Sequence, residues 1–272
     1  MKCFKAFRTI ALILGFSLFT FSCATNKLAA SKLGSSKNHV FTLADISVSA
    51  QTVPKGILVT FSNFSNIPQD IDTLRVTFSD CGKNSEPDWR KMDRVATFKY
   101  LHDYYYNSHS ENIIKQVRKT GKVVFPFVET GHKYSISAIF IDKKGFVKSM
   151  DANCIAAGGI YFNKNINITL NKAHTGISLS SKPEFAPNAK VEIKKLTYHI
   201  VSCTDGFLSA IGSDSTDDLS WEFEPKFKKQ LKENGLTKGN YPTYVGANIN
   251  IIHNNVSWVL EIAKSPIFTY SL

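Results

Sequence analysis

The clearest strand signal in the chain is residues 131–138, which read GHKYSISA. Tyr134 and Ile136 alternate with polar residues, and a period of two is typical of a strand with one buried face. The glycine at the start marks a turn. The same alternation recurs at residues 57–62 and 74–79, each bounded by turn-forming residues. We therefore predict a β-sandwich built from short, evenly spaced strands.

The same stretch resembles the turn-and-strand signature of fibronectin type III domains, in which glycine, two variable residues and tyrosine precede alternating aliphatics. In that family the tyrosine hydroxyl pins a corner between strands by bonding to the backbone, so the resemblance implies this role for Tyr134. It covers residues 43–182. The chain differs from the family at Phe61, which stands near the position of a buried tryptophan, and by an insertion near residues 83–121. The resemblance implies a fold and no function.

A second unit follows a proline-containing segment at residues 181–190, where the strand pattern breaks and we predict a domain boundary. Residues 190–272 again show alternating apolar positions. Residues 225–234 predict one short helix, because Pro225 suits the first helical position and apolar residues recur at a spacing of four. The sequence thus predicts an all-β chain of two β-sandwich-like domains, the first fibronectin type III-like and the second strand-rich with one short helix. It shows no internal repeat.

The amino terminus predicts export and a lipid anchor. Residues 1–22 combine a basic start with an uncharged apolar run that is too short to span a bilayer, as in a secretory signal peptide. The residues before Cys23 resemble the relaxed lipobox of bacterial lipoproteins, in the form found in spirochaetes. The resemblance implies that acyl chains such as palmitate on Cys23 hold the protein to membrane lipid. The alternative is that Cys23 is an ordinary residue of a cleaved signal.

Residues 23–42 are rich in Ser, Ala, Asn and Lys and predict a flexible tether after the anchor. We expect a lipid-anchored protein of a bacterial cell envelope, in the outer membrane, with either surface or periplasmic orientation open. The chain has 33 basic and 22 acidic residues and a formal charge of +11, and removal of residues 1–22 with Lys2, Lys5 and Arg8 leaves +8. The exported protein therefore stays basic, which favours anionic partners such as lipid head groups or acidic glycans. Export makes nucleic acid an unexpected partner.

Three cysteines remain beyond the signal and the anchor. Cys81 and Cys154 are one possible disulfide pair, which closes a long loop and leaves Cys203 free. The alternative is that all three are small buried apolar residues. No pair has the close spacing of zinc ligands, and we expect no metal and no cofactor.

Catalytic signatures are absent from the sequence. The seven histidines are scattered, and no nucleophile elbow, P-loop or dinucleotide-binding motif occurs, so we expect no enzyme. Asp214, Asp217 and Asp218 lie in a polar loop without EF-hand spacing, and the choice is between a solvated turn and a calcium site. The lysines of the helix predicted at residues 225–234 form either a solvated face or a stripe that binds anions.

The insertion carries the candidate ligand contacts, which are the aromatic residues Trp89, Tyr100, Tyr104, Tyr105 and Tyr106. Tyrosine offers a large contact area for little loss of entropy, and long loops often carry binding surfaces. The alternative is that these rings close an open edge of the sandwich. The insertion also predicts a short helix over residues 110–119, with Ser110 as its N-cap and Gly121 as its end.

Together these features predict a lipid-anchored, non-catalytic binding or adhesion module whose ligand is a glycan or a protein. One alternative is a structural or assembly factor of the envelope that faces the periplasm. Another is a carbohydrate-binding accessory protein that stacks sugars on Trp89, Trp221 or Trp258.

Overall fold

The computed structural model of the chain is all-β. It describes residues 43–83, 92–160, 162, 165–203, 208–216, 218–224, 227–229 and 239–271. The strands in these ranges are β1 (Val48–Val53), β2 (Gly56–Phe61), β3 (Ile71–Asp80), β4 (Tyr106–Ser110), β5 (Lys122–Phe125), β6 (Lys133–Asp142), β7 (Gly145–Ile155), β8 (Ile168–Leu170), β9 (Gly176–Leu179), β10 (Glu192–Cys203), β11 (Leu208–Thr216), β12 (Ser220–Glu222), β13 (Asn240–His253), β14 (Val256–Lys264) and β15 (Phe268–Ser271). The α-helices are α1 (Arg94–Tyr104) and α2 (Ile114–Thr120).

Short 3-10 helices lie at Leu43–Asp45, Phe64–Asn66 and Pro187–Ala189. The helix predicted over residues 225–234 is represented by helical residues at 224 and 227–229, and its remaining residues lie outside the described ranges. Among the residues that the structure describes, no helix has both the length and the apolar character needed to cross a membrane.

Two facing sheets form the first sandwich. β1, β2 and β5 pair in one antiparallel sheet, while β4, β3, β6 and β7 follow one another in the other. Aromatic rings join the two sheets: Phe78 of β3 stacks on Phe125 of β5 with their centroids 4.2 Å apart. Phe61 of β2 meets Phe140 of β6 edge-on. Alternate residues of β6 are buried, as the period of two predicts, so the predicted fold class is confirmed.

The second sandwich repeats the strand order of the first. β8, β9 and β12 form its small sheet, and β11, β10, β13 and β14 follow one another in its large sheet. Each strand of the first sandwich thus has its counterpart seven strands later in the chain, so that β1 corresponds to β8 and β7 corresponds to β14. Of the described strands, β15 alone has no counterpart, and it pairs with β13. Since the sequence shows no repeat, the two halves share strand order without a visible sequence pattern.

Strand pairing moves the junction between the sandwiches away from the predicted boundary at residues 181–190. β8 and β9 precede that boundary and fall within the predicted first domain, residues 43–182. However, β9 pairs with β12, where Ile177 lies opposite Trp221. Strands that share a small sheet belong to the same sandwich, so the junction lies between β7 and β8.

β4 joins the two sandwiches into one nine-stranded sheet. Residues Ser108 and Ser110 of β4 pair with β14, and β3 pairs with the other edge of β4. Trp258 of β14 also contacts the first sandwich, where its ring centroid lies 5.1 Å from that of Phe125. The predicted insertion at residues 83–121 contributes β4, so it builds the joint between the two halves.

Tyr134 has the role that the resemblance implies. Its hydroxyl accepts a hydrogen bond from the backbone N–H of Glu129 at 2.9 Å and donates one to Oδ2 of Asp80 at 2.9 Å. The carboxylate of Asp80 in turn accepts from the backbone N–H of Gly82 at 2.9 Å. Burial is the main cause that raises the pKa of Tyr134 far above its ordinary value, so the hydroxyl keeps its proton. The corner between β3 and β6 is thus fixed by a buried phenol and a buried carboxylate.

The Cys81–Cys154 disulfide is not formed in the structure, and Cys154 carries a free thiol. The two cysteines lie on opposite sides of β6, which separates β3 from β7. The backbone N–H of Cys81 bonds to Lys133 of β6, and Cys154 of β7 lies opposite Tyr134 of β6. Two strand spacings separate the cysteine Cα atoms by about 10 Å. A disulfide needs at most about 7 Å, so the pairing would require a different strand order.

The helix predicted at residues 110–119 begins later than expected. Ser110 is not its N-cap but the last residue of β4, where the hydroxyl accepts a hydrogen bond from the N–H of Val76 at 2.9 Å. α2 begins at Ile114. Its predicted end at Gly121 is confirmed, because this glycine adopts a φ of 65° and donates its N–H to Val117.

We predict that Tyr134→Phe destabilises the chain by about 1–3 kcal/mol, because it removes the partner of a buried carboxylate and of a backbone N–H. Urea denaturation followed by circular dichroism measures this loss. The matched control is Tyr104→Phe on the exposed side of α1, which we expect to change stability by less than about 0.5 kcal/mol. Equal stability of the two variants would contradict the role of the corner.

Candidate functional site

Helix α1 packs on the outer face of the second sandwich although it belongs to the insertion in the first. The residue before it, Asp93, is the N-cap, and its carboxylate accepts a hydrogen bond from the N–H of Ala96 at 2.7 Å. Phe98 packs in a separate small core with Tyr244 of β13 and with Val201 and Cys203 of β10. Neighbouring residues of β10 face the main core, so α1 covers the opposite face of the sheet.

Lys264 caps the end of α1 from the interior of the protein. Its ammonium donates to the backbone oxygens of Leu101 at 2.8 Å, His102 at 3.4 Å and Tyr105. The last carbonyl groups of a helix lack partners within the helix and carry partial negative charge, so a cation is favourable there. The ammonium also lies 4.4 Å from the ring centroid of Tyr106. Lys264 of β14 thereby fixes the helix to the second sandwich.

Glu261 and His199 complete a buried ion cluster with Lys264. Oε2 of Glu261 lies 3.7 Å from Nζ of Lys264 and accepts from the N–H of Asn107 at 2.8 Å. Oε1 of Glu261 lies 3.5 Å from Nε2 of His199. All three side chains are at most 3% exposed. A buried charge is tolerated only with such partners, so the cluster holds β4, β10, β14 and α1 together.

The electrostatics of the cluster keep Glu261 ionised. Burial acts to raise the pKa of this carboxyl, but Lys264, His199 and the Asn107 N–H outweigh it and lower the pKa below the ordinary value. Burial also lowers the pKa of Lys264, and Glu261 opposes this only in part. The two groups therefore depend on each other for their charge.

The predicted tyrosines divide between interior and surface. Tyr105 is buried and Tyr106 lies under the Lys264 ammonium, so the packing alternative describes these two. Tyr104 is 48% exposed. Tyr100 is half-buried, and its ring centroid lies 5.4 Å from that of Tyr104. These two are one helical turn apart and form a pair on one side of α1, which we call the tyrosine pair.

Tryptophans do not provide sugar platforms in the described part of the chain, so this part of the prediction is wrong. Trp258 is 1% exposed in the core between the sandwiches. Trp221 is buried and stacks on Tyr198 with the ring planes 8° apart. Both rings pack against other aromatic side chains in the interior. Trp89 lies outside the described residues, and so do Cys23 and the tether at residues 23–42.

The structure describes part of the predicted polar loop and part of the predicted basic helix. The backbone oxygen of Asp218 accepts from the hydroxyl of Tyr198 at 2.9 Å, and Asp217 lies outside the described residues. Lys228 forms an ion pair with Glu224 one turn earlier. The other lysines that were predicted to continue the stripe lie outside the described residues, namely Lys226, Lys232 and Lys238.

A cluster of Asp80, Glu129 and His132 was missed by sequence reasoning. Nδ1 of His132 lies 2.9 Å from Oδ1 of Asp80, and Nε2 lies 3.1 Å from Oε1 of Glu129. The histidine thus stands between two carboxylates at one end of the first sandwich. The spacing of three between Glu129 and His132 was the only local signal. Asp80 is distant in sequence, and only the pairing of β3 with β6 brings it to the turn.

Comparisons with known proteins give no family. No protein-family model matches the sequence, and no curated protein matches it. Among solved structures, the chain is similar to the FN1–FN3 domains of chicken CNTN1, with 9% identity, 83% of this chain and 65% of that chain covered, and a TM-score of 0.25. It therefore spans less than two thirds of that fragment.

A second match is a two-domain fibronectin type III segment of chicken tenascin, with 12% identity, 84% of this chain and 97% of that chain covered, and a TM-score of 0.25. Similarity at this level carries no conclusion about function. The description of the fold rests on the strand pairing and on the Tyr134 corner.

We predict that Lys264→Met destabilises the chain by about 3–5 kcal/mol, because it leaves Glu261 buried without its cation. Glu261→Gln should also destabilise, and the double variant should lose less than the sum by about 0.5–3 kcal/mol. Urea denaturation of the four chains measures this coupling. The control is Lys194→Met, which breaks an exposed pair with Glu192 and should cost at most about 1 kcal/mol. Additive losses would contradict a mutually dependent cluster.

Proposed function

We propose that the chain is a lipid-anchored, non-catalytic binding or adhesion module of a bacterial cell envelope, and that the tyrosine pair on α1 contacts its glycan or protein ligand. The observation that carries the proposal is the exposed ring of Tyr104 beside the half-buried ring of Tyr100, on a helix that is packed against the protein from below. A flat, amphipathic ring offers large contact area and a polar hydroxyl at its edge, which suits both kinds of ligand.

The support beneath α1 favours binding by a preformed surface. Asp93 caps the start of the helix, Phe98 packs its middle into a small core, and Lys264 holds its last carbonyl oxygens. Ordering a loop on binding costs free energy, whereas this helix is already ordered by folding. A ligand that meets the tyrosine pair therefore keeps most of the interaction energy.

The anchor part of the proposal depends on the amino terminus. Acyl chains on Cys23 attach the chain to the membrane, because several chains bury enough methylene groups for a lasting anchor. The tether at residues 23–42 has a root-mean-square reach on the order of 25 Å, so it lets the sandwiches stand away from the lipid head groups. The net positive charge favours an anionic glycan over a neutral one.

An envelope assembly factor is the second candidate function. It is favoured by β11, which lies at one end of the nine-stranded sheet and, among the described strands, pairs only with β10. A strand from another envelope protein can add to such an edge. In this role the protein faces the periplasm and needs no ligand at α1.

We predict that the purified chain binds sulfated oligosaccharides on a glycan array and that Tyr100→Ala/Tyr104→Ala weakens this binding at least tenfold, because the contacting rings are lost. The control is Ile155→Ala, which removes another exposed apolar side chain at the end of β7. Thermal unfolding verifies that all variants are folded. A folded double variant with unchanged affinity would remove the tyrosine pair from the site.

We predict that Cys23→Ala abolishes incorporation of labelled palmitate in growing cells and releases the protein from the membrane fraction. Protease shaving of intact cells then separates the two candidate functions, with a periplasmic protein as the lysis control. Digestion supports adhesion at the surface, and full protection supports the assembly factor. Equal labelling of wild type and Cys23→Ala would overturn the lipid anchor.

A further inference from the structure

We propose that Asp80, Glu129 and His132 bind a divalent transition metal ion of the Zn²⁺ type at the end of the first sandwich. The carboxylate oxygens and the imidazole nitrogen that these residues offer all lie within 4.8 Å of one another. The proposal rests on this cluster alone and is independent of the tyrosine pair and of the lipid anchor.

Two hydrogen-bonded backbone segments hold the three side chains in place. Glu129 and His132 are the first and last residues of a tight turn, in which the N–H of His132 bonds to the oxygen of Glu129 at 3.1 Å. Gly131 within the turn has a φ of 82°, which favours glycine, and its N–H bonds to Ala156 at 2.8 Å. The turn therefore presents the carboxylate and the imidazole together before any ligand arrives.

Asp80 is fixed from the opposite side by groups that would support it as a metal ligand. The hydroxyl of Tyr134 donates to Oδ2, and the N–H of Gly82 donates to Oδ1. Metal-binding carboxylates are commonly oriented by such outer hydrogen bonds, which raise the precision of the site. The same tyrosine accepts the N–H of Glu129, so one phenol orients two of the three ligand residues.

Exposure allows a hydrated ion to enter. The side chain of Glu129 is 48% exposed, that of His132 is 17% exposed, and that of Asp80 is 9% exposed. The cluster is thus closed toward the sandwich and open toward solvent. Three protein ligands and an open position for water are a common coordination for Zn²⁺ outside fully closed structural sites.

The donor set selects the class of metal. One imidazole nitrogen with two carboxylate oxygens suits Zn²⁺, Mn²⁺, Co²⁺ or Ni²⁺, whereas Ca²⁺ and Mg²⁺ prefer an all-oxygen shell. Each ring nitrogen of His132 faces one of the two carboxylates, so the imidazole lies between the two oxygen ligands.

The test is a calorimetric titration of the purified, chelator-treated full chain with ZnCl₂. We expect one Zn²⁺ per chain and a higher unfolding temperature in its presence. His132→Ala and Glu129→Gln should each weaken binding at least tenfold. Glu111→Gln, which alters another exposed glutamate, should bind as the wild type does.

Circular dichroism verifies that each variant is folded, and Glu129→Gln keeps the shape of an exposed side chain, so it preserves the test if His132→Ala unfolds. Absence of Zn²⁺ binding by the wild type, or binding that Glu129→Gln leaves unchanged, would overturn the proposal. Ca²⁺ serves as a second titrant, and binding of Ca²⁺ in preference to Zn²⁺ would contradict the assigned metal class.

Discussion

The hydrogen bonds from the buried ammonium of Lys264 to the end of α1 are the interaction on which the joint between the sandwiches depends. The ammonium comes from the second sandwich, while the carbonyl groups that it caps come from the insertion in the first. Glu261 balances its charge and binds the backbone N–H of Asn107 in β4. One buried ion pair thus ties a helix and a strand of one half to the sheet of the other half.

The sheet that both sandwiches share depends on these contacts of Lys264 and Glu261 with α1 and β4. β4 pairs with β14 over only three residues, and a pairing of that length is a weak joint by itself. Trp258 adds an aromatic contact with Phe125 across the joint. Because the ion cluster, the strand pairing and the ring contact lie side by side, the two sandwiches share one core instead of meeting at a polar domain interface. A surface carried by α1 is therefore fixed relative to both halves.

Local patterns predicted the strands well, because alternation and a turn glycine are properties of neighbouring residues, whereas the role of Tyr134 was implied by the family resemblance. They did not predict the partners of each strand. The junction after β7, the separation of Cys81 from Cys154 and the burial of Trp221 all follow from pairing between distant segments. The role of Ser110 was misjudged for the same reason, since its hydroxyl satisfies β3 instead of capping α2. The buried ion cluster also unites residues far apart in sequence.

The two polar clusters of the structure differ in what they can do. The side chains of Lys264, Glu261 and His199 are at most 3% exposed, so this cluster stabilises the fold from the interior. Asp80, Glu129 and His132 combine one buried carboxylate with one open to solvent. Tyr134 donates a hydrogen bond to Asp80 and also fixes the corner between β3 and β6. A ligand bound to Asp80 therefore acts on the same carboxylate that holds this corner. Chemistry at the open cluster is in this way coupled to the stability of the first sandwich.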